Sequence, residues 1–205
     1  MVGAARSIDY PLKRIGIYGG SFDPIHHAHL ILAREALETL ELAEVIFVLA
    51  AQSPHKTGEE PTDAAIRWEM LSSAIAGEPD FTASRLEIDR PAPSYTIDTV
   101  EELRSADPEA EFFFLLGEDN LPYLTNWHRF EKLRQLVQFI VLERSGRNAK
   151  FPYLTVRKRI DISATTIRNR IASGQSIRYL VPEAVEEIIR QKKLYQERNK
   201  SNPKS

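Results

Sequence analysis

Two glycines, a proline and three histidines stand within one short stretch, Gly19-Gly20-Ser21-Phe22-Asp23-Pro24-Ile25-His26-His27-Ala28-His29. Gly19 and Gly20 let the backbone turn sharply and approach a ligand closely, and Pro24 stiffens the exit of that turn. A helix beginning near residues 26–28 aims its free N–H groups and positive dipole end into the same turn, which makes an anion site by physics alone. His26 and His29, three apart, share a face of the first turn. Imidazoles there donate hydrogen bonds to phosphate oxygens and take up charge as it develops. Two blander readings compete: a zinc pair, or ordinary capping and core histidines. Zinc needs further ligands, and besides this pair only His27, His55 and His128 remain, with no local pair of carboxylates. The glycines are adjacent rather than spaced GxGxxG, and no acidic residue follows at the right place after the second apolar run. That speaks against a dinucleotide-dependent dehydrogenase.

A second constellation lies far along the chain, Ile162-Ser163-Ala164-Thr165-Thr166-Ile167-Arg168. Hydroxyls at a helix start, with Arg168 one turn in beside Ser163 and Thr165, make a second phosphate cradle; a capped amphipathic helix with a solvated arginine reads the same way. Two such cradles in one crevice would suit one polyphosphate bridging them. Two shorter signals follow other apolar runs. Ser53-Pro54-His55-Lys56 offers Lys56 as a mobile rim cation for a triphosphate tail, or as a plain surface lysine. Gly117-Glu118-Asp119-Asn120 offers a glycine and Asp119 for a ribose hydroxyl or a metal-bound ligand, or simply a helix N-cap.

The elements that must position these residues alternate. Apolar runs at residues 14–18, 45–50, 111–117 and 137–142 read as buried strands, with weaker ones at 81–88 and 154–160. Helical patterns lie at 28–40, 63–76, 96–105 and 127–136. A helix capped near Ser163 ends at Gly174, and a last one starts at Pro182 and carries Val185, Ile188 and Ile189 inward. Continuous apolar strands alternating with helices predict an α/β fold of Rossmann-like, doubly wound type: a mainly parallel sheet with helices on both faces. Ligands of such sheets bind beyond the carboxyl ends of the strands. The chain of 205 residues, 42% hydrophobic, is read as a single domain over 1–205, with a flexible leader at 1–12 and a flexible tail at 196–205. Charges of 27 Lys and Arg against 29 Asp and Glu leave −2, which disfavours nucleic acid as a partner. The absence of cysteine removes disulfides, thiol nucleophiles and thiolate metal sites. No apolar run reaches the roughly 18 residues of a membrane span, and no signal-like stretch opens the chain, so a cytoplasmic setting without membrane partners is expected.

GGSFDPIHHAH, SPHK, PSYT, the GED run, Trp127 and ISATTIR occur here in one order. Over about residues 14–195 the chain resembles the bacterial nicotinate-nucleotide adenylyltransferases, of the nucleotidyltransferase superfamily with a (H/T)xGH signature. The resemblance implies transfer of the adenylyl group of ATP to nicotinate mononucleotide, giving deamido-NAD and pyrophosphate, with Mg2+ entering on ATP. It assigns His26, His29, Lys56 and Arg168 to catalysis, and Gly19, Gly20, Ser21, Phe22, Gly117, Asp119, Ser163, Thr165 and Arg168 to ATP. It assigns the backbone at Tyr95 and Thr96 to the nicotinate carboxylate, Trp127 to stacking on the pyridine ring, and Arg144 to the mononucleotide side. The alternatives are a same-fold transferase using nicotinamide mononucleotide or another phosphorylated acceptor, and a non-catalytic nucleotide sensor. The chain departs from the family pattern at Ala28, where glycine is usual, in the loop 50–53, at Arg144-Ser145-Gly146, and at His128, where tyrosine is common.

Overall fold

Strong apolar runs set the centre of the sheet. In the computed structural model, which describes residues 12–51, 61–146 and 149–196, six strands form one sheet: β1 (Arg14–Gly20), β2 (Glu44–Leu49), β3 (Phe81–Ser84), β4 (Glu111–Gly117), β5 (Gln138–Glu143) and β6 (Leu154–Arg157). Their order is β3-β2-β1-β4-β5-β6, and all five pairings are parallel. Side chains alternate across a strand, so a strand buried on both sides must be apolar throughout. In β4, Phe112, Phe114 and Leu116 join one hydrophobic cluster while Phe113 and Leu115 join the other.

Helices cover both faces. One face carries α1 (His27–Thr39), α2 (Ala64–Ala74), α6 (Ala164–Ala172) and α7 (Glu183–Gln191), which bury Leu32, Met70, Leu71, Ile167, Val185, Ile188 and Ile189. The other carries α4 (Thr96–Ala106), a 3₁₀ segment (Glu118–Asn126) and α5 (Phe130–Leu136), which bury Ile97, Val100, Leu124 and Leu133. The expected doubly wound α/β architecture is the one observed. Two local expectations are corrected. The stretch 81–88 is not one strand: pairing with β2 ends at Ser84, and a single turn α3 (Leu86–Asp89) follows. The helix expected over 127–136 begins only at Phe130, because the chain first runs through 3₁₀ turns and passes Arg129 at φ 52°.

Strand order decides where a ligand can sit. The chain moves outward from β1 through β2 to β3, then returns to β4 on the other side of β1. The connections after β1 and β4 therefore diverge to opposite faces and leave a crevice at the carboxyl ends of these two strands. Gly19 and Gly20 end β1, and Gly117 ends β4, so both glycine-bearing segments face that crevice.

Candidate active site

The crevice opens into a cavity of about 630 Å3. Its walls bring together Gly19, Gly20, Ser21, Phe22, His26, His29, Tyr95, Thr96, Gly117, Asp119, Trp127, Arg144, Ser163 and Thr165. These come from five stretches at or just after the ends of β1, β3, β4, β5 and β6, and each had been singled out in the sequence. Lys56 lies outside the described residues. Arg168 stands behind the wall rather than on it: its Nη1 donates to the carbonyl of Asp23 at 2.8 Å and its Nη2 to Thr165 Oγ1 at 3.4 Å.

The glycine turn is built around Phe22. Its φ of 44° is left-handed, rare for a side chain without local polar help. The ring compensates by burial, edge-on to Tyr18 at 5.7 Å and to His29 at 5.1 Å. A Cβ at Gly20 would lie 2.9 Å from that ring, so glycine is required there by close approach. His26 then caps α1 in extended conformation, and its backbone N–H donates to His29 Nδ1 at 3.3 Å. With Nδ1 accepting, a neutral His29 carries its proton on Nε2. The two imidazoles stack at 3.7 Å. His26 is 2% exposed, and its buried Nδ1 has no hydrogen-bond partner among the described residues. Burial, and after it the positive charge of Arg144, pushes the His26 pKa down to about 3. The ring is neutral at pH 7.

The opposite wall is α6. Ser163 caps it by accepting from the Thr166 N–H at 3.1 Å. That leaves the remaining first-turn N–H groups and the hydroxyl of Thr165 at the crevice. Arg168 on Asp23 ties this wall to the glycine turn, so the two cradles are braced against each other. Arg144 reaches the wall from the end of β5 and donates from Nη1 to the Ile162 carbonyl at 2.9 Å. Its backbone is held by Glu118, which accepts from the N–H groups of Arg144 at 3.4 Å and Ser145 at 3.0 Å. At the end of β4 the Asp119 carboxylate folds back on Gly117: a Cβ there would sit 2.4 Å from its Oδ1.

The far end of the cavity is aromatic. Trp127 stands edge-on to Phe114 at 5.6 Å, and Tyr95, 39% exposed, stacks on His128 at 4.1 Å. Tyr95 also caps α4, so Thr96 opens that helix and its first-turn N–H groups face the same end. Sequence reasoning missed three supporting residues. Asp23 accepts from the Tyr195 hydroxyl at 2.5 Å and from the Thr62 N–H at 3.2 Å. Glu87 lines the cavity and accepts from the Thr99 hydroxyl at 3.3 Å. Arg67 is a buried cation with four carbonyl partners. Only Arg67 left a signal: it is an arginine in line with Met70 and Leu71 on the apolar stripe of α2.

Residues 17–170 match the cytidylyltransferase-like family. A protein of Geobacillus thermodenitrificans, named a probable nicotinate-nucleotide adenylyltransferase, is 43% identical over 187 residues, covering 90% of this chain and 87% of its own. One of the same name from Thermus thermophilus is 44% identical over 186 residues, covering 89% and 99%. Among solved structures, the nicotinic acid mononucleotide adenylyltransferase of Plasmodium falciparum complexed with NaAD superposes with a TM-score of 0.75. At 23% identity over 89% of this chain and 97% of that one, it corroborates the fold. The chain is a cytidylyltransferase-like nucleotidyltransferase, and within that class it belongs to the nicotinate-nucleotide adenylyltransferase family.

Proposed function

We infer that the protein joins ATP and nicotinate mononucleotide to give deamido-NAD and pyrophosphate in NAD biosynthesis, and that the cytoplasm is its setting. The observation that carries the reading is the pairing of two phosphate-binding walls, the α1 and α6 N-termini, across one cavity that ends in Trp127 and Tyr95. Its volume of about 630 Å3 falls among small-molecule sites.

An oxygen of the mononucleotide 5′-phosphate attacks the α-phosphorus of ATP in line. The new P–O bond forms as the bond to the β-phosphate oxygen breaks, and pyrophosphate leaves with that electron pair. The nucleophile is already an anion, so the chain needs no general base. Its task is to align two anions that repel each other and to stabilise charge on the α-phosphate and leaving group. His29 Nε2–H and the α1 N-terminus meet the polyphosphate from one side. Ser163, Thr165 and the α6 N-terminus meet it from the other, and Arg168 fixes the distance between them. Neutral His26 accepts or donates one hydrogen bond at its buried Nδ1. Gly19, Gly20, Ser21 and Phe22 supply the backbone beside the nucleotides, and Gly117 and Asp119 lie beside the ATP ribose. Lys56 acts as the rim cation. The N–H groups near Tyr95 and Thr96 take the nicotinate carboxylate, Trp127 stacks on the pyridine ring, and Arg144 adds positive charge toward the mononucleotide.

The phosphate-facing donors are N–H groups, imidazoles and hydroxyls, and among the described residues no group of three His, Asp or Glu is placed to hold a metal. Such a lining fits Mg2+ that arrives on ATP, ligated by phosphate oxygens and water. There it would offset phosphate charge during the displacement. The test is pyrophosphate release from Mg·ATP with nicotinate mononucleotide and, in parallel, nicotinamide mononucleotide. Strong turnover of the acid and little of the amide is expected. Preference for the amide would remove the carboxylate role of Tyr95 and Thr96, and silence with both would refute the reaction.

A further inference from the structure

Arg67 has no part in the roles above, yet among the described residues it is the largest fully buried side chain, 1% exposed. A guanidinium is tolerated inside a protein only when its N–H groups are paired. Its partners come from three separate stretches: the carbonyls of Thr62 at 2.7 Å, Ser21 at 2.9 Å, Ala50 at 2.9 Å and Ala51 at 3.3 Å. None of these is a carboxylate. Burial lowers its pKa and the charge of Asp23 opposes that shift, and an arginine keeps its proton in either case.

Ser21 and Ala50 line the cavity at the ends of β1 and β2. In a planar trans peptide the C=O and N–H point in opposite directions. With the Ser21 carbonyl turned back onto Arg67, the Phe22 N–H is turned the other way. The left-handed Phe22 is the conformation that makes this turn, and strain of this kind persists only where surrounding contacts enforce it. Arg67 takes the carbonyl of the Ala50–Ala51 peptide, and the Ala51 backbone on its other side draws the Glu87 pKa downward.

We infer that Arg67 is a positioning residue for the polyphosphate. Its buried guanidinium holds the carbonyl oxygens of the wall residues Ser21 and Ala50, and that of the adjacent Ala51, away from the cavity. The glycine turn then meets the anion with the Phe22 N–H, backed by a fixed positive charge. A carbonyl oxygen facing a phosphate oxygen repels it, and in a desolvated site that repulsion is strong. The inference rests on the ATP-dependent transfer proposed above, but Arg67 itself touches no reactant.

The test compares Arg67→Lys, which keeps the charge but not the fork, with Arg67→Gln, which keeps some donors but not the charge. Readouts are Tm, KM for each substrate, and the Kd of inorganic tripolyphosphate by calorimetry. For folded variants, KM for ATP and Kd for tripolyphosphate should rise together by about tenfold or more. KM for the mononucleotide should stay within about threefold. Equal loss for both substrates, unchanged tripolyphosphate binding, or failure of both variants to fold would each overturn the inference and leave Arg67 a structural residue. Tripolyphosphate binding needs no acceptor. A wild-type protein that binds it, loses it with Arg67→Lys and yet releases no pyrophosphate would uphold the positioning role and refute the reaction.

Discussion

His26 and Glu87 line one cavity, and burial displaces them in opposite senses. His26 falls to about 3 from 6.5, by burial and then by the charge of Arg144. Between those values the unfolded chain holds a proton that the folded one does not. Stability is therefore lost as pH falls through that window, by up to about 5 kcal/mol. Glu87 rises to about 7 from 4.5, chiefly through burial, although Thr99, Arg90 and the Ala51 N–H pull it back. Here the folded state holds the extra proton. Stability is lost as pH rises from about 4.5 to 7, by up to about 3 kcal/mol. The two slopes oppose each other where the windows overlap. Glu87→Gln removes one of them, so its Tm relative to wild type should climb by several degrees between pH 5 and pH 8. A Tm difference independent of pH would show that Glu87 ionises normally. The histidines and hydroxyls of this site were legible in the sequence because N-cap chemistry is local: His26 to His29 and Ser163 to Thr165 announce it within a single turn. Asp23 and Glu87 were not, since their partners, a tyrosine and a threonine among them, are brought near only by the tertiary fold; Arg67 showed as a charge on the apolar stripe of α2, but its carbonyl partners did not. Arg168 was legible as part of a cradle, but its bond to the Asp23 carbonyl was not.

At the scale of elements, α6 separates stability from function. Gly174 ends it at φ +67°, and a Cβ there would meet nothing within 4 Å. Gly174→Ala therefore tests backbone conformation alone and should cost about 1 kcal/mol. Ser163→Ala at the other end removes the cap and should cost a similar ~1 kcal/mol. Denaturant unfolding should find the two variants alike, while only Ser163→Ala raises KM for ATP. A raised KM in both would make the effect one of helix stability rather than of anion binding. The same contrast explains which elements could be read in advance. The helices starting at His27 and Ala164 and the strand Glu111–Gly117 carry caps or long apolar runs. The break after Ser84 is set by where β2 offers a partner, and the late start of α5 by 3₁₀ turns that leave no periodic signature. Sheet order was legible only as a class, because apolar strands state burial on two faces and not their neighbours.

For the whole molecule, two hydrophobic clusters share the four central strands β2, β1, β4 and β5 as a common wall. We propose that they unfold together as one domain. Each cluster has a tryptophan packed against it, Trp68 on the face of α1 and α2, Trp127 on the face of α4 and α5. Single-tryptophan variants made by Trp68→Phe and Trp127→Phe should therefore report the same transition midpoint, coincident with circular dichroism. ATP should raise it in both. Midpoints that differ between the two reporters would divide the molecule into separately melting halves.

The glycine turn is tied to residues that follow it much later: Asp23 meets Arg168 across 145 positions and Tyr195 across 172. At about 5–20 residues per second, ribosomal synthesis separates the two ends of these bonds by roughly ten to thirty seconds. Throughout that interval the histidine pair has emerged but its opposing wall does not exist. A nascent chain thus lacks one of the two walls proposed to hold ATP until α6 has been made.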